Sequence, residues 1–279
     1  MDTFELMTGL RNITRKHSET DLSSLELLRC INLANNLISQ QLYPLFKDDL
    51  VASLQANSQS GSSYLIPADV LLMINVYREN TSSVLKLANK LEVEQKPLIG
   101  TNQYPDDEDS PLYVQFGERI EFTPTLSSTD IRFEYRKRIA ELVWGIGTSA
   151  GDGSYITLDD YAPVKSNVLN GYWLALYKKF DGVLRKVAVE QILVYTYTGG
   201  NGIAMFTCPE SNQEYVYALV PILPSEFHNY LIDGGLVYLA KSGFYDRDAD
   251  KLEIGLKDNI RMTLALHGIE YDPKKEGRG

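Results

Sequence analysis

In the middle of the chain, residues 112–124 read LYVQFGERIEFTP and have the pattern of a β-hairpin. Two short β-like runs, 112–116 and 119–124, flank a tight turn at FGER. Gly117 can take the positive φ that such a turn requires. We therefore predict that the two runs pair as an antiparallel hairpin.

The next run, DIRFEYRKRI at 130–139, has the period of two that is typical of a strand. Its apolar positions alternate with charged ones: Ile131, Phe133 and Tyr135 against Arg132, Glu134 and Arg136. This alternation indicates a strand with one wet face, at or near an exposed sheet surface.

Further strand-like runs lie on both sides of this stretch. YLIP (64–67) and VLLMINVY (70–77) precede it, and YWLALYKKF, VAVEQILVYTYT, IAMFTC and EYVYALVPIL follow it. TGGNG, between the second and third of the later runs, predicts a hairpin turn. Residues 145–171 contain five glycines, and we expect a long flexible loop or the start of an insertion there.

Helical periodicity returns at both ends of the chain. Residues 3–16 predict a short amphipathic helix, and a longer one follows, capped by Ser23 or Asp21 with Glu26 three residues after Ser23. Its predicted apolar stripe is Leu25, Leu28, Ile31, Ala34, Ile38 and Leu42. Pro44 should end or kink this helix, and the turn-rich segment 49–63 marks a boundary.

Two more helices are expected near the C-terminus. Ser225 can cap a helix that stops at Gly243, and residues 247–267 have Leu252, Leu256, Ile260 and Leu264 on one face. We expect the tail, 269–279, to be flexible until it is bound.

These patterns predict an α+β fold: terminal helices packed as a small bundle, with an antiparallel β-rich domain inserted between them. The predicted limits are 1–60 for the N-terminal helices, 61–223 for the inserted domain and 224–268 for the C-terminal helices. Within the insert, about 145–220 forms an extra β module in this interpretation.

Composition and charge exclude several classes of protein. The 279 residues are 44% hydrophobic, which rules out disorder as the main state. The formal net charge of -10 is opposite in sign to the charge expected of a protein that binds nucleic acid through a basic face. No apolar run approaches the roughly 20 residues of a spanning helix, and the acidic start is unlike a signal peptide. We expect a soluble protein with Cys30 and Cys208 as reduced, buried thiols.

No motif indicates an enzyme or a metal site. His17, His228 and His267 are isolated from one another and from cysteine. Asp246, Asp248 and Asp250 resemble the start of a calcium loop, but Lys251 and Lys257 occupy the places that need Gly and Glu. An acidic first helical turn is the preferred interpretation of these aspartates.

Other residues leave weaker alternatives open. GTSAGDG and TGGNG lead into strands rather than into a phosphate-binding helix, and neither Gly-x-Ser-x-Gly nor HExxH occurs. A glycosidase pair of carboxylates cannot be chosen from sequence. The eighteen tyrosines favour β packing and protein interfaces over stacking on sugars or bases. We therefore expect no catalytic residues and no cofactor.

Read together, these segments resemble the head-to-tail connector (adaptor) proteins of tailed bacteriophages. The matching positions are Tyr64, Pro67, Asp69, Pro111, Tyr113, Gly117, Pro124, Tyr135 and Arg136. LPSEFHNYLIDGGLVYLAKSG is similar to the family's closing helix, so that the resemblance covers about 20–140 and 222–267. Residues 145–220 depart from the compact members of the family.

The resemblance implies a structural virion protein. It would be a subunit of a dodecameric ring, assembled in the bacterial cytoplasm, that docks to the portal protein and meets a tail or nozzle protein. Genomic DNA would pass through the lumen without sequence-specific binding, which an acidic ring suits because it repels phosphate. No membrane is involved in this role.

Two polar segments are the candidate docking elements of such a ring. The first is the densest acidic run, which by itself is more typical of a solvated loop; its residues are Asp106, Asp107, Glu108 and Asp109. The second is the C-terminal tail, with Tyr271, Asp272, Pro273, Lys274 and Lys275. The alternatives are another neck or tail component (a stopper or a tail terminator), a carbohydrate-binding tail module supported by Trp144 and Trp173, and an enzyme of unknown reaction.

Overall fold

The structure, a computed structural model, describes residues 1–16, 20–48, 50–56, 63–67, 69–79, 84–92, 110–123 and 131–269. Helices and antiparallel-rich sheets are both present, which confirms the expected mixture of α and β structure. The helices of the described residues are α1 (Thr3–Thr14), α2 (Ser24–Phe46), α3 (His228–Lys241) and α4 (Ala249–Leu266).

Helix α1 begins with a capping box. The Asp2 carboxylate accepts a hydrogen bond from the Glu5 backbone N–H at 3.1 Å, and the Glu5 carboxylate accepts one from the Asp2 N–H at 3.0 Å. The helix ends at Arg15, which has a φ of 57°. Leu6 and Leu10 are fully buried, as the periodicity predicts.

Helix α2 keeps its predicted cap and end, but not its whole predicted stripe. Ser23 Oγ accepts from the Glu26 N–H at 3.2 Å, and Pro44 lies in the last turn before the helix ends at Phe46. The buried stripe is Leu27, Ile31, Ala34, Ile38 and Leu42. Leu25 is 65% exposed, so its assignment to the stripe is wrong: six residues before Ile31, it lies about 120° away around the helix.

Glycines allow helix α3 to lie close to α1 and α2. A Cβ on Gly234 would be 2.7 Å from the Ala34 Cβ, and one on Gly235 would be 2.9 Å from Leu10 Cδ1. The predicted Ser225 cap is wrong, because Ser225–Phe227 form a short 3-10 turn that has no side-chain cap. The stop at Gly243 has the expected positive φ, 77°.

Helix α4 starts at the acidic cluster noted in the sequence. Asp248 is its N-cap and accepts from the backbone N–H groups of Asp250 and Lys251. This supports the interpretation of these aspartates as the acidic start of a helix. Leu256, Ile260 and Leu264 are buried, as expected.

Eight strands of the chain's middle form two four-stranded sheets. One has the order β1-β8-β3-β4 and the other the order β2-β7-β6-β5. The predicted hairpin is confirmed, since β6 and β7 pair antiparallel around Gly117, whose φ is 57°. The strands are β1 (Val51–Ala56), β2 (Ser63–Leu65), β3 (Val70–Glu79), β4 (Leu85–Leu87), β5 (Asn89–Leu91), β6 (Leu112–Phe116), β7 (Arg119–Thr123) and β8 (Ile131–Lys137).

The later strands form a seven-stranded antiparallel sheet with the order β12-β11-β15-β9-β10-β14-β13. The TGGNG turn joins β13 to β14, as predicted. The strands are β9 (Trp144–Ser149), β10 (Tyr155–Leu158), β11 (Trp173–Phe180), β12 (Val183–Gln191), β13 (Val194–Thr198), β14 (Asn201–Met205) and β15 (Glu214–Leu219).

This sheet curls on itself. Its two edge strands are joined by only Ile192 and Leu193, and three residue steps span at most about 11 Å. A flat sheet would separate the edge strands by about 29 Å, because neighbouring strands are about 4.8 Å apart. The sheet is therefore barrel-like, with Tyr195, Tyr215 and Tyr217 fully buried.

The expected long flexible loop at 145–171 is wrong, because this segment contains most of β9 and all of β10. Gly145 belongs to β9, where it pairs with Tyr217 of β15, and a Cβ at this position would collide with the Asp159 carboxylate. Asp159 also accepts from the Ile146 N–H at 2.7 Å and from the Tyr217 hydroxyl at 2.5 Å. The absence of a side chain at Gly145 thus makes room for the Asp159 carboxylate beside β9.

The chain divides into two compact units. One contains Met1–Phe46 and the chain from Ile139 onward, and the other is Lys47–Arg138. The predicted domain limits at 61 and 223 do not coincide with the ends of these units. Strand β1 lies in the segment 49–63, which the sequence analysis treated as a turn-rich boundary.

Candidate functional site

The candidate site is an exposed sheet surface in the Lys47–Arg138 unit. Strand β8 has the wet face that its alternation predicts: Ile131, Phe133 and Tyr135 are buried, while Arg132 is exposed and Glu134 and Arg136 are partly exposed. We call the wet side of the β1-β8-β3-β4 sheet the outer face; its residues are Val51, Leu72, Asn75, Tyr77, Leu87, Arg132, Glu134 and Arg136.

The strand register places leucine and valine beside the charged column of β8. Val51 and Leu72 flank Arg136, and Tyr77 separates Arg132 from Leu87. Leu72 and Leu87 are 53% and 52% exposed. Exposed leucine and valine interleaved with Arg and Tyr are typical of a surface that binds another protein.

Glu134 is the polar centre of the outer face. Its Oε2 accepts from the Asn75 side-chain amide at 2.9 Å and from the Tyr77 hydroxyl at 3.1 Å. Partial burial and this contact with a carboxylate raise the pKa of Tyr77. The two bonds hold the carboxylate in place between strands β3 and β8.

Below the outer face, Tyr135 and Asp69 form a buried pair. The Tyr135 hydroxyl lies 3.1 Å from Asp69 Oδ1 and 3.2 Å from Oδ2. Burial raises the pKa of Asp69 and the pKa of Tyr135, and it lowers the pKa of Lys137.

The same unit has a core of its own beneath the outer face. Tyr64 packs edge-on against Phe122, with ring centroids 5.7 Å apart, and the ring of Tyr113 lies tilted against Phe122 at 5.9 Å. These three rings lie on neighbouring strands of the β2-β7-β6-β5 sheet and stabilise it by aromatic packing. The remaining core residues of this cluster are Val76, Ala88, Ile120, Ile131, Phe133 and Tyr135.

A second polar cluster joins α1 to the seven-stranded sheet. Lys186 Nζ lies 2.6 Å from Asp2 Oδ2 and 2.5 Å from Glu5 Oε1, and the Tyr177 hydroxyl donates to Asp2 Oδ2 at 2.7 Å. A groove of about 460 Å³ lies beside it, lined in part by Phe4 and Tyr177. Because the charges satisfy one another, we interpret this cluster as a clamp that holds α1 on the sheet.

The histidines and cysteines do not come together. His228 is buried, its Nε2 donates to the Leu223 carbonyl at 2.7 Å, and its Nδ1 lies 2.7 Å from the Met1 amino nitrogen. Burial lowers the pKa of His228. His267 is exposed, and His17 lies outside the described residues. In the described ranges, no group of three His, Cys, Asp or Glu residues could hold a metal ion.

Both cysteines are buried free thiols, as the sequence predicts. Burial raises the pKa of Cys30 and that of Cys208 to about 11. A thiol with a raised pKa is a poor nucleophile at neutral pH, so these residues are packing residues.

The predicted docking elements cannot be placed on this surface. The acidic run 106–109 and the tail residues 271–275 lie outside the described residues. Among the helices that are described, none is long and apolar enough to cross a membrane. Of the two tryptophans, Trp173 is exposed and Trp144 is partly buried.

The sequence predicted β8 and, as the run 70–77, most of β3, but it did not predict the other two strands of the outer face, β1 and β4. Leu87 belongs to the three-residue strand β4, which is too short to produce an alternation signal. Asp181-Gly182 is a further signal that could have been used, because Asp-Gly between two strand-like runs is typical of a hairpin turn.

The comparisons with known proteins leave the family open. No protein-family model matches the chain, and no curated protein matches it.

Proposed function

We propose that the protein is a structural virion protein, a subunit of a dodecameric head-to-tail connector ring that docks to the portal protein and extends the DNA channel to the tail. The observation that carries the proposal is the outer face, with exposed Leu72 and Leu87 beside the Arg132 to Arg136 column. Exposed apolar side chains grouped on one face of a sheet are typical of a protein that works by assembly.

The charge of the chain supports a passage for DNA rather than a DNA-binding site. The net charge is -10, and a ring of acidic subunits repels the phosphate backbone and so lets DNA slide. The motif residues also support the proposal, because Tyr135 and Asp69 of the resemblance are in direct contact.

The finer architecture is part of the same proposal. The terminal helices form a small bundle, and the β-rich part of the chain is inserted between them. The close approach of Gly234 to Ala34 and of Gly235 to Leu10 supports the bundle. In the ring, the β-rich part faces the neighbouring proteins of the neck.

Native mass spectrometry of the protein, alone and mixed with the portal ring from the same genome, tests the function. The proposal predicts that 31.4-kDa subunits join the portal in a fixed multiple, twelve per portal ring. If the protein does not bind the portal but binds another tail component, the result would instead favour the stopper or tail-terminator alternative.

A pair of variants tests the outer face in the same assay. Leu72→Glu with Leu87→Glu should abolish portal binding, because two charges would have to be buried in the interface. The matched control, Ile254→Glu with Leu266→Glu, changes two exposed apolar residues of α4 and should bind normally. Circular dichroism verifies that both variants are folded. Equal binding by both would remove the outer face from the proposal.

A further inference from the structure

The tip of the β11–β12 hairpin projects beyond the rest of its sheet. Strand β11 pairs with β15 only from Leu174 to Tyr177, whereas it pairs with β12 as far as Phe180. We call residues 178–186 the hairpin tip. In the described part of the chain, Lys178, Lys179 and Phe180 therefore pair with β12 alone, and β12 is an edge strand.

The turn of the hairpin tip is well defined. Asp181 and Gly182 have φ values of 49° and 82°, the two positive values that a type I′ turn requires. Such a turn matches the twist of the strands, so it holds Phe180 and Val183 directly opposite each other. The tip is thus organised before any partner binds, which lowers the entropic cost of binding.

One face of the tip combines apolar and basic side chains. Phe180 and Val183 are 41% and 58% exposed, and the next pair on the same face is Lys178 with Arg185. Lys178 Nζ lies 2.6 Å from Glu210 Oε2. The Arg185 side chain is exposed and has no hydrogen bond or ion pair within the described residues.

The tip has the opposite charge to the rest of the molecule. It contains four of the 27 basic residues and one of the 37 acidic residues, a net charge of +3. The remainder of the chain therefore has a net charge of -13. Lys178 and Lys186 are already ion-paired within the chain, with Glu210 and with Asp2 and Glu5, so the exposed Lys179 and Arg185 are the basic residues that a partner can meet. A two-stranded ribbon is marginally stable in water, so an exposed Phe-Val pair at its end is best explained by a binding role.

We propose that the hairpin tip binds an acidic surface of a second copy of this chain. Phe180 and Val183 supply the apolar contact, and Arg185 pairs with a carboxylate of the neighbour. The contact joins two different surfaces, as the closure of a ring requires. The choice of partner rests on the proposed function, because in a ring each subunit lies beside another acidic copy of the same chain.

The test is self-association of the full chain, measured by sedimentation velocity over a concentration series. The wild type should associate at about 0.1 M salt and dissociate at about 1 M salt, where the Debye length falls from about 10 Å to about 3 Å. Phe180→Ser with Arg185→Glu should raise the dissociation constant at least tenfold. The matched control, Met262→Ser with Arg247→Glu on exposed sites, should associate like the wild type.

Three results would overturn the inference: a wild type that stays monomeric at both salt concentrations, a tip variant that associates normally, or a control that is weakened equally. Duplex DNA is included as a probe by fluorescence anisotropy. Tip-dependent binding of the duplex with unchanged self-association would also overturn the inference, in favour of a nucleic-acid partner.

The portal experiment separates this inference from the proposed function. If self-association does not depend on the tip but the protein joins the portal in a fixed multiple, the inference fails and the function stands. If tip-dependent self-association is seen but nothing joins the portal, the function fails and the inference stands.

Discussion

Tyr135 makes a buried polar contact in the core of the Lys47–Arg138 unit. Its hydroxyl lies within hydrogen-bond distance of both oxygens of Asp69, and both side chains are buried. A carboxyl group buried without a donor would be costly, because the protein interior solvates it poorly. The contact also explains why a tyrosine, rather than an isoleucine, occupies the third inward position of β8.

Tyr135→Phe should therefore lower the free energy of unfolding by about 1–3 kcal/mol, the cost of leaving a buried polar group without its partner. Tyr77→Phe is the matched control, because it removes a hydroxyl that donates to Glu134 on the outer face. The control should cost no more than about 1 kcal/mol, as for exposed polar contacts. Urea unfolding of both variants measures the difference, and equal costs would contradict the assigned importance of the buried pair.

At the scale of elements, glycine has opposite consequences in α3 and α4. Gly234 lies against Ala34 and Ile38, so α3 could not pack as closely with any larger residue. Gly255 lies in the interior of α4 with open space where a Cβ would be. One glycine is required by packing, and the other only weakens its helix.

Gly234→Ala should destabilise the protein by about 1–3 kcal/mol through overpacking. Gly255→Ala should stabilise it by about 0.5–1 kcal/mol, because alanine restricts the unfolded chain and favours the helix. Thermal unfolding of the two variants beside the wild type gives the sign of each change. A Gly234→Ala protein as stable as the wild type would show that α3 can move away from α2 at little cost.

The elements that could be predicted from sequence are those with a local signal. The caps of α2 and α4, the turn at Gly117 and the alternation of β8 all involve residues within a few positions of one another. The pairing of β9 with β15 joins Trp144 to Ala218, and no local pattern contains such a contact. Gly145 was interpreted as part of a loop. In the structure it lies in a strand, beside the Asp159 carboxylate, and this contact between positions 14 residues apart has no signal in the sequence.

In the molecule as a whole, the candidate site was predictable only where its residues follow one another in a single strand. The charged column of the outer face was predictable, because Arg132, Glu134 and Arg136 alternate in one strand. Val51, Leu72 and Leu87 come from three other strands, and β-bulges in β3 set which of its residues face outward. The docking roles of 106–109 and 271–275 stay predictions.

The two compact units lead to a prediction about autonomy. Residues 47–138 have their own aromatic core and should unfold cooperatively as an isolated fragment. Phe133→Ala in that fragment should abolish the transition, because loss of a fully buried phenylalanine costs about 3–5 kcal/mol, most of the stability of a small domain. Fluorescence-monitored urea unfolding gives the answer, and a wild-type fragment without a cooperative transition would contradict the division into units.

The packing of α3 on α2 also affects how the protein is made. At about 5–20 residues per second, the ribosome needs roughly 10–35 s to synthesise the chain between the end of α2 and the start of α3. During this time the apolar side of α2, including Ile31 and Ile38, lacks the helix that later covers it. The nascent chain therefore exposes the apolar side of this helix to solvent until translation is almost finished, and we expect chaperones to bind it mainly in this interval.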